Sequence, residues 1–126
     1  EENKIKNILG NVPLDNISFL KSPDLKIGDT RIVSNKYAIL KLVAHYLINE
    51  KNHKQLPIND VTRFHLGNGA IVEDININAN VSEVGFNRSF GVMVNYLYEL
   101  KNIEKNHEDY INNKKVIVSD KLKKFI

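Results

Sequence analysis

Phe64-His65-Leu66-Gly67-Asn68-Gly69-Ala70 is the stretch of this chain best suited to do chemistry. A histidine lies between two apolar residues, directly ahead of a Gly-Asn-Gly turn. The alternating run Ile71-Val72-Glu73-Asp74-Ile75-Asn76-Ile77 leads away from it. Histidine is the side chain whose ordinary pKa, ~6.5, lets it take and give a proton near neutral pH. Glycine reaches positive φ at little cost, so Gly67 and Gly69 let the backbone bend sharply and approach a ligand closely. The edge of an active site has this form, and so does a satisfied histidine beside an ordinary turn.

Other chemistries find little support. The four histidines form no H-E-x-x-H pair and there is no cysteine, so a zinc site or a thiol nucleophile is not expected. No P-loop, G-x-G-x-x-G or G-x-S-x-G segment occurs. Asp15, Asp24, Asp29, Asp60 and Asp74 are scattered, with no carboxylate pair of the kind glycoside hydrolysis uses. Tyr96 and Tyr98 read as packing residues whose hydroxyls find a buried partner. Asn68 and Asn95 are ambiguous in the same way.

A length of 126 residues suits one domain with a real core. The net charge of +3 comes from lysines scattered among glutamates, and Arg31, Arg63 and Arg88 are the only arginines. Nucleic-acid binders carry a clustered basic stripe, so none is expected as a partner. No run approaches the ~20 apolar residues of a membrane span, and no signal peptide is visible. The chain starts at Glu1 rather than methionine, so it reads as a piece of something longer.

The elements that would position His65 follow from periodicity. Ile5, Ile8 and Leu9 give a short helix ended by Gly10 and Pro13. Residues 14–29 read as a loop or short helical turns packed on the core. The strongest helix spans 34–50, capped by Ser34 or Asn35, with an apolar face wide enough for deep burial and His45 at its wet edge. Asp60 is expected to cap a short turn over 61–64. Residues 70–78 form the one expected strand, with Ile71, Glu73, Ile75 and Ile77 on one face and Val72, Asp74 and Asn76 on the other. Residues 80–91 read as turn-rich and 89–100 as a second helix. A more polar helix covers 103–110, and Ser119 is expected to cap a last amphipathic segment. The fold class is therefore α+β and helix-rich, and a lone strand implies sheet neighbours outside the chain, because its backbone groups need partners.

As a string, Val61-Thr62-Arg63-Phe64-His65-Leu66-Gly67-Asn68-Gly69-Ala70 resembles the P-V-A-x-F-H-L-x-N-G-A signature of the malonyl-CoA decarboxylase family. Asn80-Val81-Ser82-Glu83-Val84-Gly85 is similar to that family's D-V-S-x-x-G. Gly91-Val92-Met93-Val94-Asn95-Tyr96-Leu97-Tyr98 is similar to its G-L-M-x-N-Y-x-Y, in the same order and spacing. Leu42, Ala44, Tyr46-Leu47 and Glu50-Lys51 resemble the helix upstream, and 103–108 the segment downstream. The likeness covers most of 34–110.

The resemblance implies that residues 1–126 are the C-terminal portion of an acetyltransferase-like (GNAT) catalytic domain whose upstream part is absent. The implied reaction converts malonyl-CoA to acetyl-CoA and CO2. His65 matches the histidine that transfers a proton and orients the carboxylate, Tyr98 a tyrosine lining the same pocket, and Asn68, Ser89 and Asn95 groups that position substrate. No metal or organic cofactor is implied. The implied partners are malonyl-CoA and acetyl-CoA, the upstream part of the same polypeptide and a second copy in a homo-oligomer, in the cytoplasm or a mitochondrion. The family's catalytic serine lies in a proline-containing segment well upstream, which neither Ser18-Phe19-Leu20-Lys21-Ser22-Pro23 nor Ser34 matches. This chain alone is therefore expected to be inactive. The alternative is a non-enzymatic interaction domain that keeps the family scaffold.

Overall fold

A computed structural model describes residues 2–126. The helices are α1 (Glu2–Leu9), α2 (Thr30–Ser34), α3 (Lys36–Asn49), α4 (Asp60–Gly67), α5 (Glu83–Ser89) and α6 (Ile103–Asn113). The strands are β1 (Ile71–Asn76) and β2 (Met93–Leu97). Single 3-10 segments occupy Leu14–Asn16, Ser18–Lys21, Leu100–Asn102 and Asp120–Phe125. The chain divides into two compact units. One contains the residues through Val43 together with Ile75–Met93; the other contains Ala44–Asp74 together with Val94–Ile126.

In the first unit, Leu9, Ile17 and Ala38 are buried, with Ile5, Val12, Leu14, Leu20 and Leu42 against them. Ile32, Ile39 and Phe86 form a second cluster with Phe19, Leu25, Val43 and Ile77. The helix expected over 34–50 is α3, Lys36–Asn49, and a short helix not expected from the sequence, α2, precedes it. Asn35 closes α2, its amide donating to the Arg31 carbonyl at 2.9 Å. Asp29 starts α2, its Oδ1 accepting the Arg31 N–H at 3.1 Å. The same carboxylate takes two further bonds from the Arg31 guanidinium, at 3.0 and 2.8 Å. Those hydrogen bonds hold the buried Asp29 carboxyl well below the usual carboxylate range.

Residues 83–89, expected as turns, form α5. Ser82 Oγ accepts the Gly85 N–H at 3.0 Å, which is ordinary N-capping. Phe90 and Gly91 then both take positive φ, +54° and +80°, and the helix stops. A Cβ on Gly91 would lie 2.9 Å from the Asn80 carbonyl oxygen, so glycine is needed there.

The sheet also departs from expectation. The helix expected over 89–100 is absent, and Met93–Leu97 is a strand that pairs with β1. Met93, Val94, Tyr96 and Leu97 satisfy a helical spacing and a two-residue alternation equally. Pairing with β1 decides in favour of the strand. The expected lone strand therefore has a neighbour within the chain. It is also shorter than expected, and Val72, placed on the wetter face, is fully buried. A parallel bridge joins Val72 to Val118, with the Val72 N–H donating to the Ile117 carbonyl and the Ser119 N–H to that of Val72, both at 2.9 Å. Ser119 does not cap the last segment with its side chain; its Oγ donates to the Glu73 carbonyl at 2.6 Å.

Within the second unit, α4 and α6 pack on each other. Leu47, Ile48, Leu66, Ile71, Val72, Tyr110, Leu122 and Phe125 are among its buried apolar side chains. No described helix is long and apolar enough to cross a membrane.

Candidate active site

His65 sits on α4, longer than the expected turn over 61–64 and started by Asn59 rather than Asp60. Asn59 Oδ1 accepts the Thr62 N–H at 2.9 Å. The far end is a full Schellman closure. The Ala70 N–H donates to the His65 carbonyl at 3.1 Å and the Gly69 N–H to that of Leu66 at 3.0 Å, with Gly69 at φ +90°. A Cβ on Gly69 would stand 2.5 Å from the Ile103 carbonyl oxygen, so both backbone conformation and space demand glycine. Helix α6 holds this turn from the other side. Asn106 Nδ2 donates to the Gly69 carbonyl at 3.3 Å, and His107 Nδ1 meets the Gly67 carbonyl at 2.6 Å. A carbonyl only accepts, so His107 carries its proton on Nδ1.

On this fixed helix the imidazole of His65 meets two tyrosines. Its Nδ1 is 2.7 Å from Tyr98 Oη. Its ring lies flat on that of Tyr96, with centroids 4.3 Å apart and planes 17° apart. The Phe64 ring stands edge-on at 5.3 Å. Tyr96 and Tyr98 reach the same side because they are two residues apart along an extended segment. Since Tyr98 takes Nδ1, Nε2 is the nitrogen left to face another molecule.

Behind the stack runs a polar chain that is buried at Thr62 and open to solvent at Tyr46. Tyr96 Oη lies 2.7 Å from Thr62 Oγ1, and Thr62 is wholly buried. Thr62 Oγ1 donates to Asn59 Oδ1 at 3.1 Å, and Asn59 Nδ2 donates to Tyr46 Oη at 3.4 Å. A hydroxyl has one proton. Thr62 gives its own to Asn59, so Tyr96 is the donor to Thr62. Burial raises the Tyr96 phenol above its ordinary value, which keeps that proton in place.

The other expected site residues fall differently. Asn68 caps the C-terminus of α4, its amide donating to the Phe64 carbonyl at 2.9 Å. Asn95 is exposed on β2, on the opposite face from Tyr96. Ser89 belongs to the first unit, where its hydroxyl serves the carbonyls of Gly85 at 3.2 Å and Val92 at 3.0 Å. His45, expected at a wet helix edge, is half-buried and lies 3.3 Å from Glu50. Among the described residues no three His, Asp or Glu side chains converge as metal ligands would. Sequence reasoning missed Asn59 and Thr62. Asn59 carried a signal as an N-cap residue type just ahead of the helical segment, with Asp60 in the first turn; Thr62 carried none.

Comparison with known proteins decides the family. The model of the malonyl-CoA decarboxylase C-terminal domain matches residues 1–126. The chain belongs to this family. It is 38% identical over 84 residues to the mitochondrial malonyl-CoA decarboxylase of Rattus norvegicus, covering 67% of this chain and 17% of that one. To the Anser anser anser enzyme of the same name it is 36% identical over 88 residues, covering 70% and 17%. It thus spans about a sixth of these relatives. Among solved structures, malonyl-CoA decarboxylase from Rhodopseudomonas palustris superposes with a TM-score of 0.80 at 32% identity, over 88% of this chain and 25% of that one. The Agrobacterium vitis protein gives 0.79 at 32%, over 98% and 32%. These malonyl-CoA decarboxylases agree with the α+β class.

Proposed function

We propose that this chain supplies the proton-transfer side of a malonyl-CoA decarboxylase active site, with His65 facing the acyl group and Tyr98 behind it. The observation that carries this reading is the 2.7 Å contact between His65 Nδ1 and Tyr98 Oη, which joins two residues 33 positions apart. Family membership supplies the substrate class.

In the reaction, the bond between the carboxylate carbon and the α-carbon breaks and CO2 leaves. The electron pair passes to the α-carbon and the thioester oxygen as an enolate, and one proton added to the α-carbon gives acetyl-CoA. His65 contributes twice. With the ring doubly protonated and its Nδ1–H donating to Tyr98 Oη, the Nε2–H donates a hydrogen bond to the substrate and orients it for cleavage. That proton is then delivered to the enolate, and the neutral imidazole left behind is reprotonated from solvent. The thioester itself is the electron sink, so the reading needs no metal or organic cofactor. Asn68, Ser89 and Asn95 are the groups offered for positioning the substrate. Asn68 has the best support, since it closes the helix that carries His65.

The acetyltransferase-like (GNAT) fold belongs to the same proposal. The remaining strands, the serine partner and most of the CoA surface come from the rest of the polypeptide. Leu100, 89% exposed, and Phe64, 65% exposed, are large apolar side chains that such neighbours or a second copy would cover. The protein would work in the cytoplasm or, as the names of its animal relatives suggest, in a mitochondrion.

The test is acetyl-CoA formation from malonyl-CoA by the full-length protein. His65→Asn is expected to lower kcat by ~10²- to 10⁴-fold, the usual worth of a general acid or base, while CoA-ester binding stays near normal. Tyr98→Phe is expected to be milder. The 126-residue chain alone should be inactive. Near-normal kcat in His65→Asn would remove the assignment, and silence of the full-length protein would favour a scaffold kept for protein interaction.

A further inference from the structure

We propose that Tyr96 and Thr62 are positioning residues for His65: the Asn59–Thr62–Tyr96 chain fixes the plane of the imidazole and so the direction of Nε2. The inference rests on the proposed role of His65 and extends it to residues that never touch substrate.

The bond to Tyr98 alone does not orient the ring. It pins Nδ1, but the outer torsion of a histidine side chain is broad, so the imidazole can still swing about that point. The flat stack on Tyr96, at 4.3 Å and 17°, supplies the second constraint. A stacked ring steers its neighbour only if it is itself immobile. Tyr96 is held at its far end, where its hydroxyl donates to the wholly buried Thr62. Thr62 cannot turn away, because its proton is committed to Asn59 Oδ1. Asn59 in turn cannot move without uncapping α4, the helix that carries His65. One side chain therefore sets both the start of the helix and the tilt of the ring upon it. The high pKa that burial gives the Tyr96 phenol keeps its donor proton throughout the neutral range.

Three variants of the full-length protein test this. Thr62→Val keeps the shape and removes the hydroxyl; Tyr96→Phe keeps the stacking ring and removes the tether; the third combines them. Misplacing a reacting group by ~1 Å can cost ~10²-fold. Each single variant is expected to lose ~10- to 100-fold in kcat with KM nearly unchanged. The double variant should be no worse than the weaker single, because both cut the same link. Thr62→Ser should restore most of the activity. An independent readout is the proton resonances of the His65 ring, shifted by the ring current of Tyr96 in the wild type and expected to move back in Thr62→Val and Tyr96→Phe.

Near-normal kcat in both singles while His65→Asn is dead would overturn the positioning role and leave the role of His65 intact. If His65→Asn stays active, the role of His65 fails by itself. The resonances then judge the geometry, and unmoved His65 signals in Tyr96→Phe would overturn it. Should Thr62→Val fail to fold, Tyr96→Phe and Thr62→Ser decide the same question.

Discussion

Helices α2 and α4 start alike, each from an Asx side chain that accepts a backbone N–H: Asp29 from Arg31 at 3.1 Å and Asn59 from Thr62 at 2.9 Å. What lies beyond the caps differs. The Asp29 carboxylate draws in the Arg31 guanidinium through both oxygens, and the guanidinium ends on the exposed Asp24 at 3.0 Å. A carboxylate only accepts, so its network closes on the nearest cation. The Asn59 amide accepts through one atom and donates through another. It takes two bonds from Thr62 and gives one to Tyr46, which leaves the Thr62 hydroxyl able to receive Tyr96. A charged cap makes a dead end that serves stability. At α4 the hydroxyl that serves the cap goes on to hold Tyr96, whose ring is stacked on His65.

The harshest way to break the contrast is to loosen α4 from its other end. Gly69→Ala forces a Cβ to within 2.5 Å of the Ile103 carbonyl oxygen at φ +90°. Strain and overpacking of this kind cost ~2–5 kcal/mol together, to be read as a lowered midpoint in urea. A midpoint equal to wild type would mean that the Schellman turn is not what pins His65.

A smaller effect sharpens the comparison directly. Asn59→Ala removes a cap worth ~1 kcal/mol and leaves the buried Thr62 hydroxyl short of a partner, for a total of ~1–3 kcal/mol, and it should also lower kcat of the full-length protein. Asp29→Ala should weaken α2 while leaving kcat of the folded protein unchanged. Equal losses of kcat in the two would erase the distinction between a charged and a neutral cap.

The mildest test uses acid. The folded Asp29 carboxyl is depressed below its unfolded value of ~3.9, so the unfolded chain binds the proton more readily. Its stabilisation is complete above ~pH 4 and is lost as pH falls through the depressed folded value. The Arg31 amide, which donates to that carboxylate, should lose hydrogen-exchange protection in this window relative to the Thr62 amide, whose acceptor does not titrate. Parallel behaviour of the two amides would show that the charge of Asp29 does not hold α2. Asp29→Asn should abolish the difference.

Much of the site was legible in the chain because its signals are local. His65 ahead of a Gly-Asn-Gly turn, the alternation from Ile71 and the start and period of α1, α3 and α6 all depend on neighbours within a turn or two. Of the two glycines expected to bend the chain, Gly69 takes a positive φ, whereas Gly67 stays helical as the last residue of α4. What misled was the run around Met93–Leu97. Val94, Tyr96 and Leu97 fit either period, and the choice lies with β1, about twenty residues earlier. The same error disguised the tyrosines. On a helix, Tyr96 and Tyr98 point to different sides; on a strand they point to one, and both reach His65.

The sequence by itself thus determined the candidate histidine, the turn that follows it, the α+β class and, through its motifs, the family. Those depend on residue type and short spacing, which the covalent chain carries directly. Only the tertiary structure decided that β1 has a partner, that Val72 is covered by the segment at Val118, and that Thr62 and Tyr96 stand behind His65. Hydrogen bonds between residues 33 and 34 positions apart leave no periodic trace, because their geometry is set by how strand and helix pack and not by either one's own pattern.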